Sequence, residues 1–269
     1  MDEFKSPQKN DNLKQPFENY AEIAGGGLGA VLGFLAGDPI AAAFSGAAGA
    51  AVVGMLKNIG QEFSGRVLSP REDFRVGKVL VIASREIYQR KEKGEHPRND
   101  GFCENKPKGR SDAEEIAEAI MLKCQREPQE KKIEYMGYLL AGIAFDANIS
   151  ADMGHQLIKA AEELTYRQLC ILKLAVVKHQ YGLRNQDYQN HVGFTKGLYQ
   201  VLQECHDLYL KNYLVYEIPL MFNGKITIGY MNIQPNKMTI YGIGEDLFHL
   251  MKLTSIPDED IIPIAEVLK

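Results

Sequence analysis

Cysteine is scarce and scattered in this chain. Cys103, Cys124, Cys170 and Cys205 form no C-x-x-C pair, which points away from a zinc knuckle or a disulfide framework and toward free thiols in a reducing cytoplasm. Signatures of catalysis are also missing. The histidines at 96, 155, 179, 191, 206 and 249 make no H-E-x-x-H and no paired ligand spacing, and no G-x-S-x-G elbow occurs. No cofactor and no metal is implied, and the chain reads as a non-enzyme. An excess of one charge is absent as well: 31 Lys+Arg stand against 35 Asp+Glu, a formal charge of -4. That balance gives no global reason to expect nucleic acid or an anionic surface as partner. No secretion signal is expected either, because the opening "MDEFKSPQKNDNLKQPFENY" is polar and mixed in charge and the apolar run starts only near Ile23. Residues 1–19 read as a flexible tail.

What is present is a glycine- and alanine-rich stretch at residues 24–60, "AGGGLGAVLGFLAGDPIAAAFSGAAGAAVVGMLKNIG", whose only charges are Asp38 and Lys57. Gly25, Gly29, Gly33 and Gly37 recur every four residues, a spacing that puts them on one face of a helix. Glycine costs roughly 1 kcal/mol against alanine in a water-exposed helix. Close approach by another helix, the small-xxx-small packing of helices in lipid, is the usual compensation. Gly37-Asp38-Pro39 supplies a helix stop, an N-cap acid and a proline at the first helical position. A second run carries Ala42, Gly46, Ala50 and Gly54. The reading is a hairpin over 20–60. Its first helix, from Ile23 to Gly37, would be about 22 Å long and its second, from Ile40 to Ile59, about 30 Å, against a hydrocarbon core of about 30 Å. The second is long enough to span and the first is short. Lys5, Lys9 and Lys14 before the hairpin and Lys57, Arg66, Arg71 and Arg75 after it favour both ends on the cytoplasmic side. GGGLGA follows no strand and precedes no Lys-Ser/Thr, so phosphate cradling is unsupported. These residues resemble the glycine zippers of membrane-inserting and pore-forming proteins. A tight helical pair that packs or oligomerises without lipid is the competing reading.

From Ser69 the pattern becomes charged, amphipathic and well punctuated, predicting a helical bundle over 61–164. "SPRE" at Ser69 and "SDAE" at Ser111 are capping boxes. Val76, Val79, Leu80, Ala83 and Ile87 follow the first; Ile116, Ile120, Met121 and Cys124 follow the second. Further helices use Ile133, Met136, Leu140 and Ile143, then Met153, Leu157, Ala161 and Leu164. Between the first two helices residues 93–110 form a long polar loop, read as solvated.

A third unit, 165–269, opens with the capping box "TYRQ" at Thr165 and presents Leu169, Leu172 and Val176. A longer helix from Thr195 leads into a strand, Asn223-Gly224 marks a hairpin turn, and a short helix starts near Gly244. Helices, a hairpin wing and a short helix resemble a winged-helix domain. In DNA-binding members of that fold the third helix enters the major groove. Here the segment balances 10 basic against 10 acidic residues, so phosphate neutralisation is weak and a protein-binding role is preferred, with Lys196, Lys211, Tyr199 and Tyr209 as possible partner contacts. Tyr230 and Tyr241 belong to the same tyrosine set.

The fold expectation is therefore mainly α, with a glycine-zipper hairpin, a bundle and a winged-helix-like α+β domain. The layout is similar to that of bacterial abortive-infection defence proteins. The resemblance implies an oligomerising pore-former, cytoplasmic at rest and at the inner membrane when active, with Gly25, Gly29, Gly33, Gly37, Gly46 and Gly54 as its membrane and assembly face. Its partners would be the bilayer, further copies of itself and a phage-derived or other trigger protein. The alternative is a cytoplasmic winged-helix DNA-binding regulator whose hairpin only oligomerises it.

Overall fold

The structure, a computed structural model, describes residues 25–37, 46–107, 109–216 and 229–269. Expectations for the tail at 1–19, for the Asp38-Pro39 turn and Ala42, and for the Asn223-Gly224 hairpin lie outside those residues. The described chain is mainly helical with a small two-stranded sheet, and its contacts divide it into two compact units. One comprises the described residues of Met1–Arg126 with Ala144–Ala147; the other comprises Glu127–Ile143 and the described residues of Asn148–Lys269. This line differs from the sequence-based boundary at 164/165, because the helices Glu130–Ile143 and Ala151–Glu163 go with the second unit. The glycine-rich stretch is also no separate body, since it belongs to the first.

In that first unit α1 is Gly27–Ala36, α2 Ala47–Ser64, α3 Pro70–Glu92 and α4 Asp112–Arg126. α3 starts where its sequence says it should: the Ser69 side chain accepts from the Glu72 amide, the Glu72 carboxylate accepts from the Ser69 amide, and Pro70 occupies the first turn. α4 opens with the same reciprocal pair, Ser111 and Glu114. The core is drawn from all these helices: Leu28, Val31 and Leu35 of α1, Leu56, Ile59 and Phe63 of α2, Val76, Val79, Leu80, Ala83 and Ile87 of α3, and Ile116, Ile120, Met121 and Cys124 of α4 are buried. Each fully buried aliphatic side chain contributes about 2 kcal/mol from removal of apolar area.

The second unit holds α5 (Glu130–Ile143), α6 (Ala151–Glu163), α7 (Tyr166–Val177), α8 (Lys196–Leu210), β1 (Leu214–Tyr216), β2 (Met238–Ile240), α9 (Ile243–Leu250) and α10 (Asp258–Val267). The strands are antiparallel, with Val215 opposite Thr239. Thr165 and Gln168 complete the expected capping box of α7. Leu169 and Leu172 are buried, while Val176, expected on the same side, is exposed. Ile133, Met136, Leu140 and Ile143 are buried as the 3.6-residue period requires; so are Leu157, Ala161 and Leu164, with Met153 half-buried. Two lysines are nearly inaccessible, and each is held by a carboxylate and a backbone carbonyl. Lys132 bonds Glu127 at 2.8 Å and the Glu162 carbonyl at 2.8 Å; Lys173 bonds the Ile256 carbonyl at 2.6 Å and Asp258 at 2.8 Å.

Candidate functional site

The glycine-rich helices differ from their sequence-based description in ways that follow from backbone geometry. Gly27 has φ +72°, so the chain turns at Gly26–Gly27 and α1 begins only there. Gly25 precedes that turn, and Gly37, with φ −67° and ψ 147°, has already left the helix. Only Gly29 and Gly33 of the expected four-glycine face lie within α1. Gly46 has φ +104° and ψ 152°, which is incompatible with an unbroken helix from Ile40 to Ile59. It precedes α2, which instead runs on to Ser64 and takes in Lys57, Asn58, Gln61 and Glu62. At 10 and 18 residues the two helices are about 15 and 27 Å long. Among the described residues no helix is long and apolar enough to cross a membrane.

Several of the small residues face outward, while Gly27, Gly49 and Gly60 are buried. Among the described residues a Cβ placed on Gly25, Gly29, Gly33, Gly46 or Gly54 would have no neighbour within 4 Å, and Gly29, Ala30, Gly33, Ala47 and Ala50 are exposed. Leucine and valine take the inward side. Close backbone approach does occur, but at glycines that sequence reading passed over. A Cβ on Gly77 of α3 would sit 3.0 Å from the Gly27 carbonyl carbon and the Leu28 nitrogen. α1 therefore rests on α3 backbone to backbone. Gly27 itself makes room for Asp73, whose carboxylate oxygens accept from the Leu28 amide at 3.3 and 3.4 Å. An acid from α3 thus caps the first turn of α1, where the helix dipole favours negative charge.

α2 is held at its carboxyl end. Asn58 donates to Glu114 at 3.0 Å, Arg66 bonds both Glu62 and Glu118 at 2.6 Å, and Arg110 bonds the same two carboxylates. The guanidinium of Arg66 keeps the Glu118 carboxyl below its ordinary range. Arg110 ends the stretch expected to be a plain solvated loop. Arg98 in that loop is buried, paired with Asp100 and stacked 3.8 Å from the Phe102 ring centre.

In the second unit the possible partner contacts do not form one patch. Lys196 opens α8 and Lys211 follows its last residue, so about 22 Å of helix separates them. Lys211 is paired with Glu163 at 2.6 Å. Tyr199 is exposed, with Tyr230 packed edge-on at 5.3 Å. Tyr209 sits at the other end, 5.3 Å from Tyr216, and Tyr241 is exposed. A pocket of about 460 Å³ includes Lys173, Val177, Thr254, Ile256 and Asp258; its lysine is already bonded to two protein oxygens.

Burial raises the Cys103 thiol to about 11 and the Cys170 thiol to about 12, which leaves both poorly nucleophilic at neutral pH. Among the described residues no cluster of His, Cys, Asp and Glu is gathered as a metal site. The outward small-residue face of α1 and α2, with the polar contacts at the base of those helices, is thus the candidate site. Compared with models of known protein families, with curated proteins and with solved structures, the chain matches none.

Proposed function

We propose that this protein is an oligomerising effector whose glycine-rich helices act on a membrane, in the manner of bacterial abortive-infection proteins, when a trigger protein is sensed. One observation carries the reading: Gly29 and Gly33 are exposed, and among the described residues nothing lies against them or against the half-buried Gly54. Glycines at exposed helix positions cost stability, and neighbouring helices from further copies would compensate by close backbone contact. A single pair of helices cannot enclose water, so several copies line the opening. The resting form is cytoplasmic, with Leu28, Val31 and Leu35 packed inward; the active form is at the inner membrane. For the carboxyl-terminal part we propose a winged-helix-like module that binds the trigger. The helices α7 and α8 followed by the antiparallel β1–β2 pair support that reading, and the separation of Lys196 from Lys211 disfavours a shared phosphate contact.

The test is dye leakage from vesicles together with crosslinking, on wild type and on the double substitution Gly29→Leu/Gly33→Leu. Leakage and crosslinked ladders above the dimer are expected to disappear in the variant while circular dichroism is unchanged. Normal leakage from that variant sinks the proposal.

A further inference from the structure

We propose that the polar contacts at the base of the glycine-rich helices are an autoinhibitory latch, which holds α1 and α2 on their unit and keeps them from lipid. The inference rests on the membrane-acting reading and adds to it what restrains the helices at rest. Apolar packing alone distinguishes poorly between the two states. Leu28, Val31, Leu35, Leu56 and Ile59 are buried in the folded unit, but hydrocarbon chains would receive the same side chains about as well. The polar contacts are different, because no acceptor or counter-charge inside a bilayer replaces them.

Their placement fits a restraint. α1 has no cap of its own: Gly26 precedes it and makes no side-chain bond. Its first turn depends on Asp73, 45 residues away in sequence. Gly27 fits that contact closely, since a Cβ there would lie 1.9 Å from the Asp73 Oδ2. At the other end, Glu114 serves twice, as the capping acid of α4 and as the acceptor for Asn58 of α2. Arg110, from the polar loop, joins Glu62 of α2 to Glu118 of α4, and Arg66 duplicates the connection. The ion pairs are partly exposed and individually weak. Together with the two hydrogen-bonded contacts they tie each glycine-rich helix to α3 or α4.

Asp73→Ala and, separately, the paired substitution Asn58→Ala/Arg110→Gln test this in the full-length chain. The second variant changes side chains nearer the surface and keeps the test decisive if the first fails to fold. Hydrogen exchange without lipid is read first, then binding to vesicles of phosphatidylethanolamine and phosphatidylglycerol. Loss of a hydrogen bond to a charged group predicts about tenfold faster exchange in α1 for Asp73→Ala, a smaller acceleration in α2 for the pair, and stronger vesicle binding by both, with exchange in α7 and α8 unchanged. Unchanged exchange in α1 and α2 overturns the latch and leaves the membrane reading to its own leakage test. Faster exchange without vesicle binding removes the membrane reading, and with it the autoinhibitory role, leaving the contacts as structural ties.

Discussion

α1 and α2 on one side, and α3, α4 and α7 on the other, are all helices, yet they obtain their boundaries differently. The latter group carries its own punctuation: Ser69 with Glu72, Ser111 with Glu114, Thr165 with Gln168, each three residues apart and each bonded reciprocally. α1 and α2 are preceded by Gly26 and Gly46, which offer no capping side chain. The start of α1 is capped by a distant residue, Asp73, whereas α2 ends locally on the Gly65 amide and is tied at that end by side chains from Arg110 and Glu114. A helix with local caps remains favoured wherever it goes, whereas one capped from elsewhere is favoured only while docked.

The largest expected effect comes from breaking the docking itself. Gly77→Val would drive a branched side chain into the Gly27–Leu28 backbone, which stands 3.0 Å from the new Cβ, and backbone cannot yield as a side-chain tip does. Destabilisation of about 3 kcal/mol is expected, read in urea denaturation, with protection of α1 lost first in hydrogen exchange. An unaltered midpoint would show that α1 does not rest on α3 as described.

A smaller effect of opposite sign sharpens the same contrast. Gly33→Ala adds a methyl group into open space within a helix, so the isolated chain should gain about 0.5–1 kcal/mol, measured by thermal or urea unfolding. The same substitution at Gly77 should be unfavourable. If both alanine variants destabilise equally, Gly33 does not face outward.

The smallest effect is acid sensitivity at a locally capped helix. Bonding from Ser69, and then from Gln125, lowers the Glu72 carboxyl from its ordinary value of 4.5 to about 2. A lowered carboxyl contributes stability that is complete above pH 4.5 and is lost as pH falls toward 2. Fraying of the first turn of α3 is therefore expected within that window, visible by amide chemical shifts of residues 70–73, and should be absent in Glu72→Gln.

What could be read in the sequence follows the range of the interaction. The capping boxes of α3, α4 and α7 and most buried positions of α3 to α7, Val176 and Met153 apart, were legible because residues three or four apart declare their own geometry. α1 and α2 were only half legible. Glycine spacing suggested a continuous face, but Gly27 and Gly46 adopt positive φ and interrupt it, a choice that glycine leaves open and sequence does not announce. The contact of Gly77 with Gly27 and the reach of Asp73 to Leu28 join residues about 45–50 apart, for which no spacing rule exists. α10 was missed although Asp258, Glu259 and Asp260 mark an acidic first turn; Pro263 within the helix obscured the signal. The burial of Lys132 and Lys173 was equally hidden, since a lysine in sequence reads as surface.

The polar ties also have a direction. Asp73 grips the first turn of α1, and Asn58, Glu62 and Arg66 lie in or just after the last turns of α2, so the ties sit where the glycine-rich stretch joins the rest of the chain on either side. Mechanically such a stretch is a flap riveted along its hinge line. A pull applied between α1 and α2 meets the apolar contacts first and in peel, breaking them one after another under a low load. A pull applied along the flanking chain loads the ties together in shear and meets the greatest resistance. Where a force acts on this segment, as well as how strong it is, decides whether the helices come away.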